Sequence, residues 1–143
     1  MIKKLKHTGK ASSLAIMLAA VLLSPASQAQ VVTLQDGNSS ALVNVNSSAG
    51  MSQWLVNGIN NLNQQWFWYS VGEGNVAAPI NNIATANYTQ SAANTVDTIY
   101  NNGSYGVEIN YTLTGGGTGS ADISEGITIH NGTASSLDFH FYQ

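Results

Sequence analysis

The sequence predicts an all-β fold, an antiparallel β-sandwich or jelly roll. Three observations predict it. Apolar and polar residues alternate along most of the chain, which is the period of a strand rather than of a helix. Turn dipeptides, Asp36-Gly37, Asn102-Gly103 and Asn131-Gly132, punctuate the alternating runs. Asn, Gly, Ser and Thr abound, and Asn and Gly supply the positive φ that tight turns require. Short strands separated by such signals form sandwiches and jelly rolls.

The elements follow in order. Val31 to Gln35 is a short strand, and Leu42 to Asn46 a second, with Val43 and Val45 on one face. Met51 to Asn57 runs as a strand through Trp54 and Val56. Gln65 to Val71 is a strongly aromatic strand. Gly72 to about Asn94 carries the weakest pattern and reads as a long loop with one poor strand. Thr95 to Tyr100 is a strand with Val96 inward. Val107, Ile109, Tyr111 and Leu113 show the cleanest period of two. Gly115 to Gly119 is a loop leading to Ile123, Ile127 and Ile129, with a bulge expected near Glu125-Gly126. Leu137, Phe139 and Phe141 close the series, and Asn131-Gly132 is expected to make a hairpin of the last two strands. Phe139 to Gln143 ends without turn residues, so further strands past Gln143 are expected and the sandwich reads as incomplete at its C-terminus.

The 143 residues divide in two. Lys3, Lys4, Lys6 and Lys10 precede the apolar run Leu14 to Leu23, then Pro25 and Ser27-Gln28-Ala29. This is the layout of a secretory signal peptide over residues 1–29, cleaved after Ala29. The apolar run falls short of the roughly 20 residues a membrane span requires. Residues 30–143 form a single domain, exported to the bacterial cell surface or beyond, with no transmembrane segment. All four Lys+Arg lie before residue 29, whereas all seven Asp+Glu lie after it. Nucleic-acid and phosphate binding rest on cations, so this composition excludes them, along with Schiff-base lysines and arginine clamps. With no Cys there is neither a disulfide framework nor thiol chemistry.

Four constellations could carry function. Trp66 and Trp68 stand on one face of the aromatic strand, with Phe67, Tyr69 and Val71 on the other. They either fill a doubly covered core strand or form a platform for sugar rings, about 6.6 Å apart; Trp54 extends that platform or fills the core. His130, Asp138 and His140 share a face if the last two strands pair, an arrangement resembling a two-His-one-carboxylate metal set. A solvent face holding two imidazoles is the simpler account. Asp122, Glu125 and Glu73 are the carboxylates nearest a glycosidase arrangement, which needs two such groups ~5–9.5 Å apart. Solubility explains them equally well. Asp36-x-Asn38-x-Ser40 matches the start of a calcium loop, but Ala41 and Ser47 occupy the positions of its Gly and its bidentate acid. An Asp-Gly turn accounts for it better. No catalytic residue, metal site or cofactor is assigned.

Gly50-Met51-Ser52-Gln53-Trp54, Leu62 to Tyr69, Tyr111 to Gly116 and Leu137 to Gln143 together resemble the N-terminal region of bacterial exported PEP-CTERM sorting-domain proteins. The Pro-Glu-Pro tail that defines those proteins does not occur in this sequence. The resemblance implies a surface or exopolysaccharide-associated protein. The expected function is a non-enzymatic, secreted or matrix-associated β-sandwich module. The alternative is a carbohydrate-binding module using Trp66, Trp68 and Trp54, with extracellular polysaccharide as partner. A hydrolase or a metal-binding protein ranks below both.

Overall fold

The structure is a computed structural model that describes residues 30–143. The signal-peptide assignment for residues 1–29 lies outside the described residues. The fold is all-β, with three antiparallel sheets packed together. An N-terminal sheet has the order β1-β2-β3-β4, from β1 (Val31–Asp36), β2 (Ser39–Asn44), β3 (Met51–Val56) and β4 (Ile59–Asn60). A C-terminal sheet has the order β10-β9-β8-β7, from β7 (Asn87–Ala92), β8 (Thr95–Asn101), β9 (Tyr105–Gly115) and β10 (Ala121–Asn131). A three-stranded sheet, β11-β5-β6, joins β5 (Trp68–Val71), β6 (Ala78–Pro79) and β11 (Phe139–Tyr142).

The inner faces meet in one core. Val107, Ile109, Tyr111 and Leu113 of β9 are all buried, in one cluster with Leu34, Ala41 and Val43 of the N-terminal sheet and Val45 just past β2. Tyr100 on β8 lies in the same core, and its phenol donates to the Val45 carbonyl at 2.9 Å. That bond satisfies a group whose burial would otherwise be costly. Burial pushes the Tyr100 phenol up to about 12. It also drives the Tyr111 phenol well above its ordinary value, with help from the Glu125 carboxylate and Tyr100.

The turns form where the dipeptides indicated. Asp36 pairs with Ser39 across a two-residue turn. The Asp36 Oδ2 accepts the Gly115 N–H at 3.0 Å. Gly115 is obligatory there, because a Cβ on it would lie 2.1 Å from the Asp36 carbonyl oxygen. Asn102 Oδ1 accepts the N–H groups of Ser104 and Tyr105 and closes the β8–β9 hairpin.

The structure corrects four expectations. Asn57 and Gly58 both have positive φ, so the strand from Met51 stops at Val56 and folds back as a hairpin into β4. The strand expected over Gln65 to Val71 begins only at Trp68, so Gln65, Trp66 and Phe67 precede β5. The one poor strand expected after Gly72 is β7, whose six residues are all exposed. An edge strand open to solvent on both faces has no apolar alternation to display. No bulge interrupts Glu125-Gly126: β10 pairs with β9 without a break from Ala121 to Asn131. Register shifts occur instead at Leu42/Val43 and Gln90/Ala92. Finally, β11 does not form a hairpin with β10. It crosses to β5, pairing Phe139 with Val71 and Tyr142 with Trp68. The driving force is aromatic: Phe139 stacks on Tyr69 at 5.7 Å, and Phe141 meets Phe67 at 5.6 Å.

Candidate functional site

The three-stranded sheet turns one face to the core and the other to solvent. Burial alternates along residues 65–69, the run that leads into β5. Phe67 and Tyr69 are buried, at 0% and 8% exposure. Trp66 and Trp68 point the other way, at 43% and 36%. Directly paired residues share a face, so Tyr142 stands beside Trp68 on the outside, 46% exposed. His140 follows on the same face of β11, and its ring stacks with Tyr142 at 6.5 Å and 14° between planes. Pro79 of β6 flanks Trp68 from the other side. A proline on this short outer strand also blunts the edge against further pairing. The outcome is a shallow aromatic face of Trp66, Trp68, Tyr142 and His140.

The face is held from beneath and at its end. Ser70 is buried among these side chains, and its hydroxyl lies 3.2 Å from the Tyr142 phenol, fixing that ring's outer edge. Phe67 packs over Gly50; a Cβ on Gly50 would lie 2.4 Å from the Phe67 ring, so only Gly fits. Gln65 accepts the Met51 N–H at 2.8 Å and donates to Glu125 Oε1. Gln143 donates to the other oxygen of Glu125 at 2.8 Å. One carboxylate on the inner face of β10 therefore holds the residue before Trp66 and the residue after Tyr142. Glu125 is a positioning residue for the aromatic face. Tyr69 lies behind it, and burial together with a contact to Tyr105 pushes its phenol up to about 12.

At the opposite end, His140 Nε2 lies 3.0 Å from Asp138 Oδ1. The Gly72 N–H donates to the Asp138 carbonyl at 2.8 Å, which carries the β5–β11 pairing one residue further. Asp138 is thereby fixed at the rim of the face.

The other sequence-derived groupings separate. Trp54 lies on the inner side of the N-terminal sheet opposite Ala41, packs against the core and donates its indole N–H to Ser39 at 3.0 Å. It takes the core alternative and does not extend the Trp66–Trp68 pair. His130 stands on the outer face of the C-terminal sheet, 3.2 Å from Glu108, while His140 and Asp138 lie on the three-stranded sheet. The proposed common face of His130, Asp138 and His140 required a β10–β11 hairpin, which does not form. No group of three or more His, Asp or Glu is placed to hold a metal among the described residues. Asp122 faces outward and Glu125 inward, as an odd spacing along one strand dictates, and Glu73 sits in the loop after β5. Asp36, Asn38 and Ser40 lie at the tight β1–β2 turn rather than in a long loop.

Sequence reasoning missed Tyr142, His140, Ser70 and Glu125 as parts of the aromatic face. The alternation of His140 and Tyr142 against Phe139 and Phe141 was visible. Their partner strand was not, because pairing between distant strands leaves no local signal. No protein-family model, curated protein or solved structure matches the chain. Among the described residues, no helix is long and apolar enough to cross a membrane.

Proposed function

We propose that this chain is a non-enzymatic, exported β-sandwich module that binds extracellular polysaccharide through the outer face of its three-stranded sheet. One observation carries the reading: Trp66 and Trp68 are exposed while Phe67 and Tyr69, which alternate with them along the run into β5, fill the core. Leaving two indoles in water forgoes on the order of 2 kcal/mol of burial each. The C–H faces of sugar rings recover that loss by stacking on flat aromatic side chains. Hydroxyl groups of the sugar would meet the Tyr142 phenol and the Asp138–His140 pair. The resemblance to exported PEP-CTERM proteins supports a place at the cell surface or in exopolysaccharide.

Tryptophan fluorescence during titration with a panel of soluble polysaccharides tests this. Binding should shift emission to the blue and saturate, and the Trp66→Ala/Trp68→Ala variant should lose the response while remaining folded. No change with any glycan in the panel would overturn the reading.

A further inference from the structure

The charge around the aromatic face narrows the class of polymer. From Gln30 onward the chain has seven carboxylates and neither Lys nor Arg. Its surface potential is negative, and a polymer of uronic acids would be repelled. Beyond this overall field, one carboxylate belongs to the face itself. Asp138 immediately precedes the strand that carries His140 and Tyr142, and its carboxylate lies 3.0 Å from the His140 imidazole, which places it at the end of their face. Its side chain is 55% exposed, and the backbone bond from Gly72 fixes its position. Glu73, exposed in the adjoining loop, adds a second negative charge near this end. The face therefore has an aromatic end at Trp66, Trp68 and Tyr142 and an anionic end at Asp138.

We propose that this face selects polysaccharides bearing free amino groups, polymers of amino sugars that are at least partly de-N-acetylated. The aromatic end stacks the ring and Asp138 receives the ammonium group one or more sugars along. The proposal rests on the glycan-binding reading above and adds its specificity. Asp138 is the residue that distinguishes a free amine from its acetylated form. Acetylation removes the charge and leaves the ring face unchanged, so the stacking contribution is common to both polymers.

The test compares glucosamine oligosaccharides with their fully N-acetylated counterparts, by fluorescence titration of the protein in its exported form at low salt and at a pH where the amine is charged. A single exposed ion pair is worth up to about 1 kcal/mol, so the free amine should bind about three- to fivefold more tightly. Added salt should remove the preference. Asp138→Asn should abolish it, so that the two oligosaccharides bind equally. Asp122→Asn, on the outer face of the C-terminal sheet, should leave the preference intact. Equal loss with Asp122→Asn, or binding of the amine polymer that survives Trp66→Ala/Trp68→Ala, would mean non-specific attraction to an acidic protein and would overturn the proposal. Equal binding of both oligosaccharides overturns the amine preference alone, and absence of binding by either removes the underlying reading for this sugar class.

Discussion

Two outer faces of this molecule are built on the same alternation and end up chemically opposite. On the C-terminal sheet, the solvent side carries Asp97, Asn110, Thr112, Ser124 and Thr128, with Ile99 as the apolar exception. These side chains satisfy one another: Asn110 donates to Asp97 at 2.5 Å, Thr112 lies 3.3 Å from Asn110, and His130 pairs with Glu108. On the three-stranded sheet, the solvent side carries Trp66, Trp68 and Tyr142. The first face obeys the polar-out rule of a half-solvated antiparallel sheet, and the second breaks it. A face that follows the rule needs only solvent. A face that breaks it while the same sheet already fills the core has surplus apolar surface, which the proposed sugar contact would cover.

The contrast is sharpest between two neighbours, Trp66 and Phe67, just before β5. Phe67→Ala should cost about 3–5 kcal/mol, because it opens a cavity beside Phe141 and Gly50. Trp66→Ala should cost less, about 1–2 kcal/mol, since 43% of that side chain is already exposed. Urea unfolding of the two variants checks this. Similar losses would show that Trp66 is a core residue and that the two sides of this run do not differ as described.

Alkali probes the core side alone. The unfolded chain releases the Tyr100 proton near its ordinary value of 10, whereas the folded chain holds it to about 12. Stability is thus complete below pH 10 and falls as the pH rises from 10 to 12, by roughly 2–3 kcal/mol for this residue. Chemical denaturation at pH 9 and pH 11.5 measures the fall, and Tyr100→Phe should reduce it. A stability independent of pH over this range would contradict the buried environment of Tyr100.

Glu125→Gln should lower stability by about 1–2 kcal/mol, because a single carboxylate now accepts from both Gln65 and Gln143. Its thermal midpoint is the measurement. The effect should be smaller than that of Phe67→Ala, as the site is partly solvated. The smallest expected effect lies on the polar face. Gly126→Val should stabilise β10 by about 0.5 kcal/mol, since a Cβ there meets only Asn110 Cβ at 3.7 Å. Calorimetric unfolding decides its sign, and glycan affinity should not change.

Much of this fold can be read from local pattern. The alternation of Val107, Ile109, Tyr111 and Leu113 marks the buried face of β9, and Asn102-Gly103 marks its hairpin. Local pattern fails where neighbours at long range decide. β7 is legible only as a poor strand without bounds, because its edge position removes the apolar signal. The Asn57-Gly58 turn is legible from its dipeptide, and its positive φ at both residues ends β3 one residue before Asn57. The partner of β11 could not be read, since Phe139 and Phe141 would suit any aromatic inner face. For the candidate site, Trp66 and Trp68 were legible as a pair on one face. Whether that face is covered, and that Tyr142 joins them while Trp54 does not, depends on which sheets pack together.

On this reading the aromatic face should bind sugar and the polar face should not. Isothermal titration with the best-responding polysaccharide, using two double variants of comparable stability, tests it most directly. Trp66→Ala/Trp68→Ala should weaken binding by about tenfold or more, the scale of losing a stacking anchor. Thr112→Ala/Thr128→Ala should leave affinity within about twofold of the unaltered protein. Equal losses from both variants, or full affinity without Trp66 and Trp68, would contradict the account.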